Sequence, residues 1–299
     1  MTGIHLRTVN PRDAMEFDIS HPEKLIFTRY TKKSFVRYYD QIADVMLPHI
    51  EQRLLTLYRF PEGADKEGFF QKDKPDYFPE WIDHRLVRKD KGAVDYVVCN
   101  TRESLVYLAS QVAEFHIWTS RVEKLGYPDK MVFDLDPSGG NLSLLKSVLR
   151  KLEKLLTDIG LNPFLMATGK RGYHVVVPIR PEQSNVVVRE FTLKVAMVLE
   201  QDDPRHLTTE LLKEKRKRRM FLDVNRNSPH QTSVAPYSVR AVMGASVALP
   251  LEWTELPSVN PGDYDIGRTL RRMQRRSDPW EDFRQASVSL KKVIDRLKK

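Results

Sequence analysis

The stretch that decides the fold is "MVFDLDPSGG" (131–140), in which an apolar run ends in two aspartates and a turn. Side chains on a strand alternate between its faces, so Asp134 and Asp136 would share one face and the apolar residues would pack on a helix. Two like charges with Cα atoms about 7 Å apart repel each other unless a cation neutralises them. Carboxylate oxygens suit Mg²⁺ or Mn²⁺. The stretch therefore predicts a strand that ends in a divalent-metal site, with two solvent-exposed acids as the alternative.

Strands and helices interleave on both sides of this stretch, which predicts an α/β or α+β protein. The spacing of apolar residues predicts helices at 31–53, 101–118, 142–159 and 184–200, and strands at 95–100, 131–136, 173–179, 220–224 and 232–241. Thr31 is a predicted helix cap, Pro48 would bend or end its helix, and Gly160 would stop another. We expect a soft internal boundary near residues 100–125 and a peripheral segment at 256–299.

Composition limits the classes of function. The chain has 299 residues, 41% of them apolar, and a formal net charge of +9, which favours a polyanionic partner and nucleic acid before membrane. The single cysteine, Cys99, excludes an internal disulfide framework and fits a reducing cytoplasm. No apolar run approaches 18 residues, and the first 13 residues lack the apolar core of a secretion signal. We therefore expect a cytoplasmic protein.

Two segments concentrate the positive charge. "KEKRKRR" (213–219) holds six basic residues and one acid, and we interpret it as a DNA-facing connector. "RTLRRMQRR" (268–276) holds five arginines and no acid. On a helix these arginines would share one face, which is either a solvated surface or a stripe that tracks phosphates.

A loop of small residues, "ATGKRGYHVVVP" (167–178), precedes a predicted strand. Its glycines let backbone N–H groups approach an anion, and Lys170 and Arg171 add charge. The loop is not a Walker A motif, because no Ser or Thr follows Lys170. Taken alone, it predicts either an anion-binding loop or an ordinary tight turn.

A third acid, Asp223 of "FLDVNRN", ends another predicted strand, with Arg226 close behind and Arg240 in "APYSVRA". Three carboxylates together with arginines and a Gly-Lys-Arg loop predict a two-metal phosphoryl-transfer site. The metals would bridge the acids, and the cations would hold a triphosphate.

The motifs "EFHIWTSRV", "VFDLDPS", "TGKRGYHV", "FLDVNRN", "TSVAPYSVRA" and "LEW" occur in an order that resembles the polymerase domain of the end-joining DNA ligase D proteins. These domains belong to the archaeo-eukaryotic primase superfamily. With "HPEKLIF", "TKKSFVRYYDQIADVMLPHI" and "GFFQKDKP", the resemblance runs from roughly residue 19 to 284. It implies a single primase-polymerase domain over residues 1–299. Two coupled subdomains would surround a central antiparallel or mixed sheet, with an RRM-like catalytic part.

The resemblance also implies roles for individual residues. The catalytic acids, holding two Mn²⁺ or Mg²⁺ ions, would be Asp134, Asp136 and Asp223. The nucleotide would be bound by His116, Thr168, Lys170, Arg171, His174, Arg226 and Arg240. A 5′-phosphate would be held by Lys24 and Lys32, with the choice between Lys32 and Lys33 open. The template or other DNA would contact Phe69, Phe70 and Lys72, with one of the two phenylalanines buried.

By this resemblance the protein would be a DNA-directed nucleotidyltransferase that fills gaps and extends ends in non-homologous end joining. It would use nucleoside triphosphates and incorporate ribonucleotides readily. Its partners would be gapped or broken DNA with a 5′-phosphate, a separate DNA ligase and a Ku-type protein, in a prokaryotic nucleoid; an end-bridging dimer is left open. The alternatives are a primase or primase-polymerase of replication or excision repair, a metal-dependent nuclease, and a non-catalytic DNA-binding protein.

Overall fold

The computed structural model describes residues 18–88, 92–137 and 140–298. The prediction that no secretion signal is present concerns the first 13 residues, which lie outside these ranges. Residues 138–139, in the predicted turn after Asp136, also lie outside them. Within them, no helix combines the length and the apolar character needed to cross a membrane. The elements in chain order are α1 (Lys32–Ile50), β1 (Leu55–Arg59), β2 (Phe69–Gln71), β3 (His84–Arg88), β4 (Ala93–Val97), α2 (Arg102–Ser110), β5 (Ala113–Trp118), β6 (Lys130–Leu135), α3 (Leu142–Asp158), β7 (Phe164–Ala167), β8 (Tyr173–Pro178), α4 (Asn185–Asp202), β9 (Leu207–Thr208), β10 (Met220–Asp223), β11 (Thr232–Val234), β12 (Leu249–Leu251), α5 (Ile266–Met273) and α6 (Leu290–Leu297).

The chain divides into two units. The first unit comprises the residues up to Ile117 together with Val234–Ala248 and Tyr264–Arg276, and the second comprises Trp118–Ser233, Leu249–Asp263 and Ser277–Lys299. The expected organisation as one domain, with a soft boundary near 100–125 and a peripheral segment at 256–299, stays a prediction.

In the first unit, α1 begins as the sequence predicts. The Thr31 hydroxyl accepts a hydrogen bond from Ser34 N at 3.3 Å and caps the helix. Its buried face is rich in aromatic side chains, among them Phe35, Tyr38 and Tyr39. Pro48 lies inside the last turn, and the helix ends two residues later at Ile50. Beside it, β5, β1 and β2 are successive neighbours in an antiparallel sheet, and β3 and β4 form a separate antiparallel pair.

Two sequence predictions in this region are wrong in extent. Helix α2 ends at Ser110, and residues 113–118, predicted to continue it, form β5 instead. Val112 has a φ of +54°, a left-handed conformation that ends the helix and turns the chain back to pair with β1. The strand predicted at 232–241 stops at Val234, because Pro236 has no N–H to donate and Tyr237 has a φ of +65°.

The second unit is built on a mixed sheet with the strand order β12-β7-β8-β6-β10-β9. Its pairs are antiparallel except for β10 and β9, which run parallel. The predicted strands at 131–136, 173–179 and 220–224 and the helices at 142–159 and 184–200 are confirmed as β6, β8, β10, α3 and α4. Gly160 has a φ of +81° directly after α3, as its predicted role as a helix stop requires.

The two faces of β6 differ as the alternation predicts. Phe133 and Leu135 are buried against Leu152 of α3, Leu199 of α4 and the β10 residue Leu222. Burying each of these large side chains stabilises the fold by about 2 kcal/mol. This packing fixes the register of β6, and the register directs Asp134 to the opposite face.

Candidate active site

The acids of the two central strands meet at one end of the sheet. Asp134 of β6 and Asp223 of β10 are directly opposite each other in the strand pairing, and Asp136 follows the end of β6. All three carboxylates line a cavity of about 610 Å³ in the second unit. The structure therefore brings together the three acids that the sequence singled out.

Asp134 is held by two basic side chains. Arg226 Nε donates to Asp134 Oδ2 at 3.0 Å, and His174 Nε2 lies 3.4 Å from Asp134 Oδ1. Burial alone would raise the pKa of Asp134, but the charges and hydrogen bonds of His174 and Arg226 outweigh it and hold the pKa well below its usual value. The pKa of Asp136 is instead raised, by burial and by the negative charge of Asp134. Asp134 is thus firmly ionised, and a second negative charge beside it is unfavourable.

This donor set suits a divalent cation in its chemistry. Carboxylate oxygens are the ligands that Mg²⁺ and Mn²⁺ prefer, and a cation would relieve the repulsion that raises the pKa of Asp136. Within residues 18–88, 92–137 and 140–298, however, no three His, Cys, Asp or Glu side chains are close enough together to hold one ion. His174 and Arg226 each contact one of the two oxygens of Asp134.

Six cationic side chains line the same cavity as the acids. They are Arg171, Lys213, Arg216, Arg218, Arg219 and Arg226. The basic segment 213–219 therefore lies beside the acids, where the sequence alone gave no reason to place it. Lys217 and Arg218 both have positive φ, and the Arg216 guanidinium lies 3.7 Å from the centre of the Phe221 ring. This backbone and this stacking turn the segment back towards β10.

The loop between β7 and β8 is a tight turn tied by Thr168. Its buried hydroxyl donates to the Gly172 carbonyl at 2.9 Å, so Thr168 fixes the loop. A Cβ at Gly172 would collide with the Asp136 carboxylate and the Leu135 carbonyl, so glycine is required for this close approach. The loop presents Lys170 and Arg171 as exposed cations, and Arg171 lies 3.9 Å from Asp136.

In the first unit, one carboxylate that the sequence reasoning missed joins two of the predicted nucleotide-binding residues. Glu114, on β5 and only 1% exposed, lies 2.8 Å from His116 Nε2 and 3.0 Å from Arg240 Nε. Its other oxygen accepts from Ala241 N at 2.9 Å. The sequence did contain a sign of this residue, because Glu114 is an acid within the otherwise apolar run that begins "AEF". Glu114 fixes the orientation of both basic side chains.

The predicted phosphate lysines share a second cavity, of about 480 Å³, in the first unit. Lys24 Nζ donates to Glu62 at 2.8 Å, and Lys32 Nζ donates to the Ser20 hydroxyl at 3.0 Å. Burial, and then the charges of Arg59 and Lys24, lower the pKa of Lys32. Lys33, the alternative to Lys32, lies 3.8 Å from Glu23 instead.

Arg59 is a third cation on this cavity, and the sequence reasoning did not include it. Its guanidinium donates to Gln71 Oε1, the Tyr77 hydroxyl and both oxygens of Gln111, at 2.6–3.3 Å. These partners are all uncharged, so the positive charge of Arg59 is not neutralised by them.

The two phenylalanines of β2 are both exposed, so the expectation that one is buried is wrong. Phe69 is 51% and Phe70 61% exposed. The strand is only three residues long and lies at the edge of its sheet, where neither face is covered. Phe70 contacts the rings of Tyr58 and His116, and the exposed Lys72 follows the strand.

A buried asparagine, Asn227, holds together the strand that carries Asp134 and the turn that follows Asp223. Asn227 Oδ1 accepts from Val132 N at 2.8 Å, and Asn227 Nδ2 donates to the Val132 carbonyl at 2.7 Å and the Val224 carbonyl at 2.8 Å. It thereby ties β6 to the turn after Asp223. Asn227 stands in the quoted motif "FLDVNRN", but nothing in the sequence identified its partners.

Comparison with known proteins identifies the family of this chain. The family model of the LigD primase-polymerase domain matches residues 31–280. The bifunctional non-homologous end joining protein LigD of Bacillus subtilis is 29% identical over 303 residues, covering 99% of this chain and 48% of that protein. The multifunctional LigD of Mycolicibacterium smegmatis is 33% identical over 266 residues, covering 87% and 35%. The chain thus spans half or less of the length of these relatives.

A solved structure extends the likeness to three dimensions. The polymerase domain from Mycobacterium tuberculosis ligase D, in complex with DNA, superposes with a TM-score of 0.84 at 31% sequence identity. The match covers 89% of this chain and 97% of that domain and confirms the predicted primase-type fold. The chain belongs to the family of LigD primase-polymerase domains.

Proposed function

We propose that this chain is a DNA-directed nucleotidyltransferase that fills gaps and extends broken ends in non-homologous end joining. The observation that carries the proposal is the cavity at which three aspartates and six cationic side chains meet. Joining a nucleotide to a primer requires acids that hold divalent ions and cations that hold a triphosphate. The names of the relatives, all end-joining proteins, support the pathway.

Each group of residues would have a separate task at this cavity. Asp134, Asp136 and Asp223 would hold two divalent ions, Mn²⁺ or Mg²⁺, which when bound neutralise the negative charge that develops on the phosphates. Lys170, Arg171 and Arg226 would bind the triphosphate through charge-assisted hydrogen bonds. Thr168 would keep the loop in shape, and the buried His174 would keep Asp134 in its ionised form.

The first unit would bind the rest of the substrate. Glu114 would hold His116 and Arg240 in place against the nucleotide. The exposed rings of Phe69 and Phe70 would stack on template bases, and stacking tolerates any sequence. Lys72 would contact the DNA backbone.

The phosphate cavity would anchor the break. Lys24, Lys32 and Arg59 would hold the 5′-phosphate downstream of the gap, where a dianion would meet three positive charges. The substrates would be DNA and nucleoside triphosphates, and ribonucleotides would be used readily. We propose that a DNA ligase activity and a Ku-type end-binding protein act together with this chain.

A gap-extension assay tests the proposal. Gapped DNA with a downstream 5′-phosphate is incubated with Mn²⁺ and each type of nucleoside triphosphate. We expect template-matched extension that falls by about a thousandfold in Asp136→Asn, since the site loses one metal ligand. The control is Asp282→Asn, an exposed acid far along the sequence, which loses the same charge and should keep full activity.

Two results would contradict the proposal. Shortened strands would identify a nuclease, and unchanged strand lengths with DNA still bound would identify a binding protein. Equal extension by Asp136→Asn and Asp282→Asn would show that Asp136 takes no part in the reaction.

A further inference from the structure

The arginine-rich segment 268–276 is divided by the fold into a buried and an exposed part. Arg272 is buried, with its guanidinium 5.6 Å from the centre of the Tyr264 ring, so the expectation that all five arginines share one solvent face is wrong. The reason is that the side of α5 carrying Ile266, Thr269 and Arg272 is its packed side. The other four are exposed, and we call them the arginine face: Arg268, Arg271, Arg275 and Arg276.

On the arginine face, the charges of Arg271 and Arg275 are not balanced by acids of the described residues. Residues 266–276 contain no acid. Among the residues that the structure describes, neither Arg271 nor Arg275 has a carboxylate within ion-pair distance. The acid that precedes the segment, Asp265, caps Arg268 N at 2.8 Å and accepts from the Tyr30 hydroxyl at 3.1 Å, and the acid that follows it, Asp278, is buried. Like charges held on one surface favour an anionic partner from outside.

The start of α5 contacts the segment that leads into the phosphate cavity of the same unit. At the start of α5, Asp265 contacts Arg29 and Tyr30, and Gly267 N donates to the Tyr30 hydroxyl at 3.3 Å. Tyr30 is two residues before Lys32, which lines the cavity. A DNA strand anchored by its 5′-phosphate in the cavity therefore begins close to α5.

The dimensions of α5 suit a DNA backbone. Its eight residues, which include Arg268 and Arg271, span about 12 Å, a length over which one strand of a duplex carries about three phosphates. Arg275 and Arg276 follow in the turn after the helix. Arginine also presents a planar fork of donors that matches phosphate oxygens in pairs. Charge, position and length agree on the same ligand.

We propose that the arginine face binds the backbone of the DNA duplex downstream of the gap, a few phosphates beyond the 5′-phosphate in the cavity. This inference rests on the proposed function, since the cavity is the anchor from which the duplex runs. It assigns the hold on the duplex to α5 and to the turn that follows it, which carries Arg275 and Arg276, and it assigns recognition of the duplex end to the cavity.

Equilibrium binding with two downstream duplexes tests the inference. Fluorescently labelled gapped DNA carries a downstream duplex of about half a helical turn or about two helical turns, each closed by a hairpin loop so that it stays paired, with a 5′-phosphate or a 5′-hydroxyl. The variant is Arg271→Glu/Arg275→Glu. The matched control is Lys291→Glu/Lys292→Glu on α6, two exposed lysines with the same change of charge.

Three results are expected from these binding measurements. The unaltered protein binds the longer duplex more tightly, and the arginine variant loses about tenfold or more of that affinity. The variant lowers the slope of log affinity against log salt by about two, one for each lost phosphate contact. Its preference for a 5′-phosphate over a 5′-hydroxyl stays unchanged, because the cavity is intact.

Other outcomes would overturn the inference. An equal loss in the α6 control would reduce the effect to net charge, and equal affinity of the unaltered protein for both duplexes would leave the arginine face without its ligand. An unaltered protein that ignores the 5′-phosphate would overturn the proposed function and this inference with it. If thermal unfolding shows the charge-reversal variant to be misfolded, Arg271→Gln/Arg275→Gln replaces it, with an expected loss about half as large on a logarithmic scale.

Discussion

Asp134 and Asp136 stand two positions apart and have opposite electrostatic surroundings. Asp134 faces Arg226 and His174, which lower its pKa, while Asp136 faces burial and the charge of Asp134, which raise its pKa. The sequence alone shows two equivalent acids. Their difference arises from basic residues that the fold brings in from other strands and turns.

Replacing Asp136 by Asn should stabilise the metal-free protein while abolishing extension. Because the folded pKa of Asp136 lies above its ordinary value of 3.8, the fold favours the protonated form, and that advantage is lost as the pH rises through the folded pKa. At neutral pH we expect Asp136→Asn to raise Tm by about 1–2 °C, and the gain should vanish below pH 3.8.

Thermal unfolding with and without Mn²⁺ completes this test. The ion should raise the Tm of the unaltered protein and have little effect on Asp136→Asn, since ligand binding stabilises only a protein that binds it. A variant that is less stable than the unaltered protein at neutral pH would refute the electrostatic account.

If Lys24 holds a 5′-phosphate as proposed, Glu62 would compete with that phosphate for it. Its carboxylate accepts the 2.8 Å hydrogen bond that a phosphate oxygen would need, and this hydrogen bond, together with the charge of Lys24, lowers the pKa of Glu62. We expect Glu62→Gln to raise the preference for 5′-phosphorylated over 5′-hydroxyl DNA by about two- to fivefold. Titrations with both DNAs measure this ratio, and Glu23→Gln, beside Lys33, is the control. An unchanged or smaller ratio would exclude competition.

Recognition of the 5′-phosphate should weaken at alkaline pH through Lys32. Its folded pKa is lowered by burial and by Arg59 and Lys24, so its charge is lost before the pH reaches the ordinary lysine value of 10.5. A bound dianion favours the charged form, so we expect the phosphate preference to fall as the pH approaches 10.5. Lys32→Arg should keep the preference in that range, because a guanidinium stays protonated. A parallel decline in both proteins would contradict the role of Lys32.

At the scale of elements, the turn before β8 depends on a residue without a side chain. A Cβ at Gly172 would collide with Asp136 and with the backbone of Leu135, so Gly172→Ala must move either the acid or the strand. We expect a loss of about 1–3 kcal/mol of stability, together with a large loss of extension activity. The control is Gly126→Ala, where an added Cβ has no neighbour within 4 Å. Denaturant unfolding and gap extension measure the two effects, and an active Gly172→Ala protein would show that the approach is not needed.

The elements that the sequence predicts well are those whose burial pattern repeats. Leu145, Leu149, Leu152 and Leu156 mark α3, and Gly160 marks its end. The prediction fails where a local backbone conformation interrupts an apolar run, as at Val112, whose positive φ separates α2 from β5. Because Val112 is not a glycine, nothing in a single sequence indicates that its φ is positive.

At the scale of the whole chain, the three acids could be predicted from the sequence, but the residues that hold the site in place could not. Asp134, Asp136 and Asp223 are charged residues at strand ends, which is a local pattern. Asn227 and Val132, by contrast, are 95 positions apart, and Glu114 and Ala241 are 127 apart. Such pairs exist only after folding. The arginines of segment 213–219 were visible as a cluster, but their place beside the acids was not.

The four hydrogen bonds of Arg59 have a consequence for the thermodynamics of anchoring. A free arginine side chain loses about 2 kcal/mol of rotamer entropy when it is immobilised on a ligand. Arg59 is immobilised already by Gln71, Tyr77 and Gln111, so this entropic cost is incurred when the protein folds and not when DNA arrives. The cavity thus has one cation held by four hydrogen bonds beside two lysines, Lys24 and Lys32, that are held by one each. If the cavity anchors a 5′-phosphate as proposed, such a rigid cation would limit the angle at which the strand end enters.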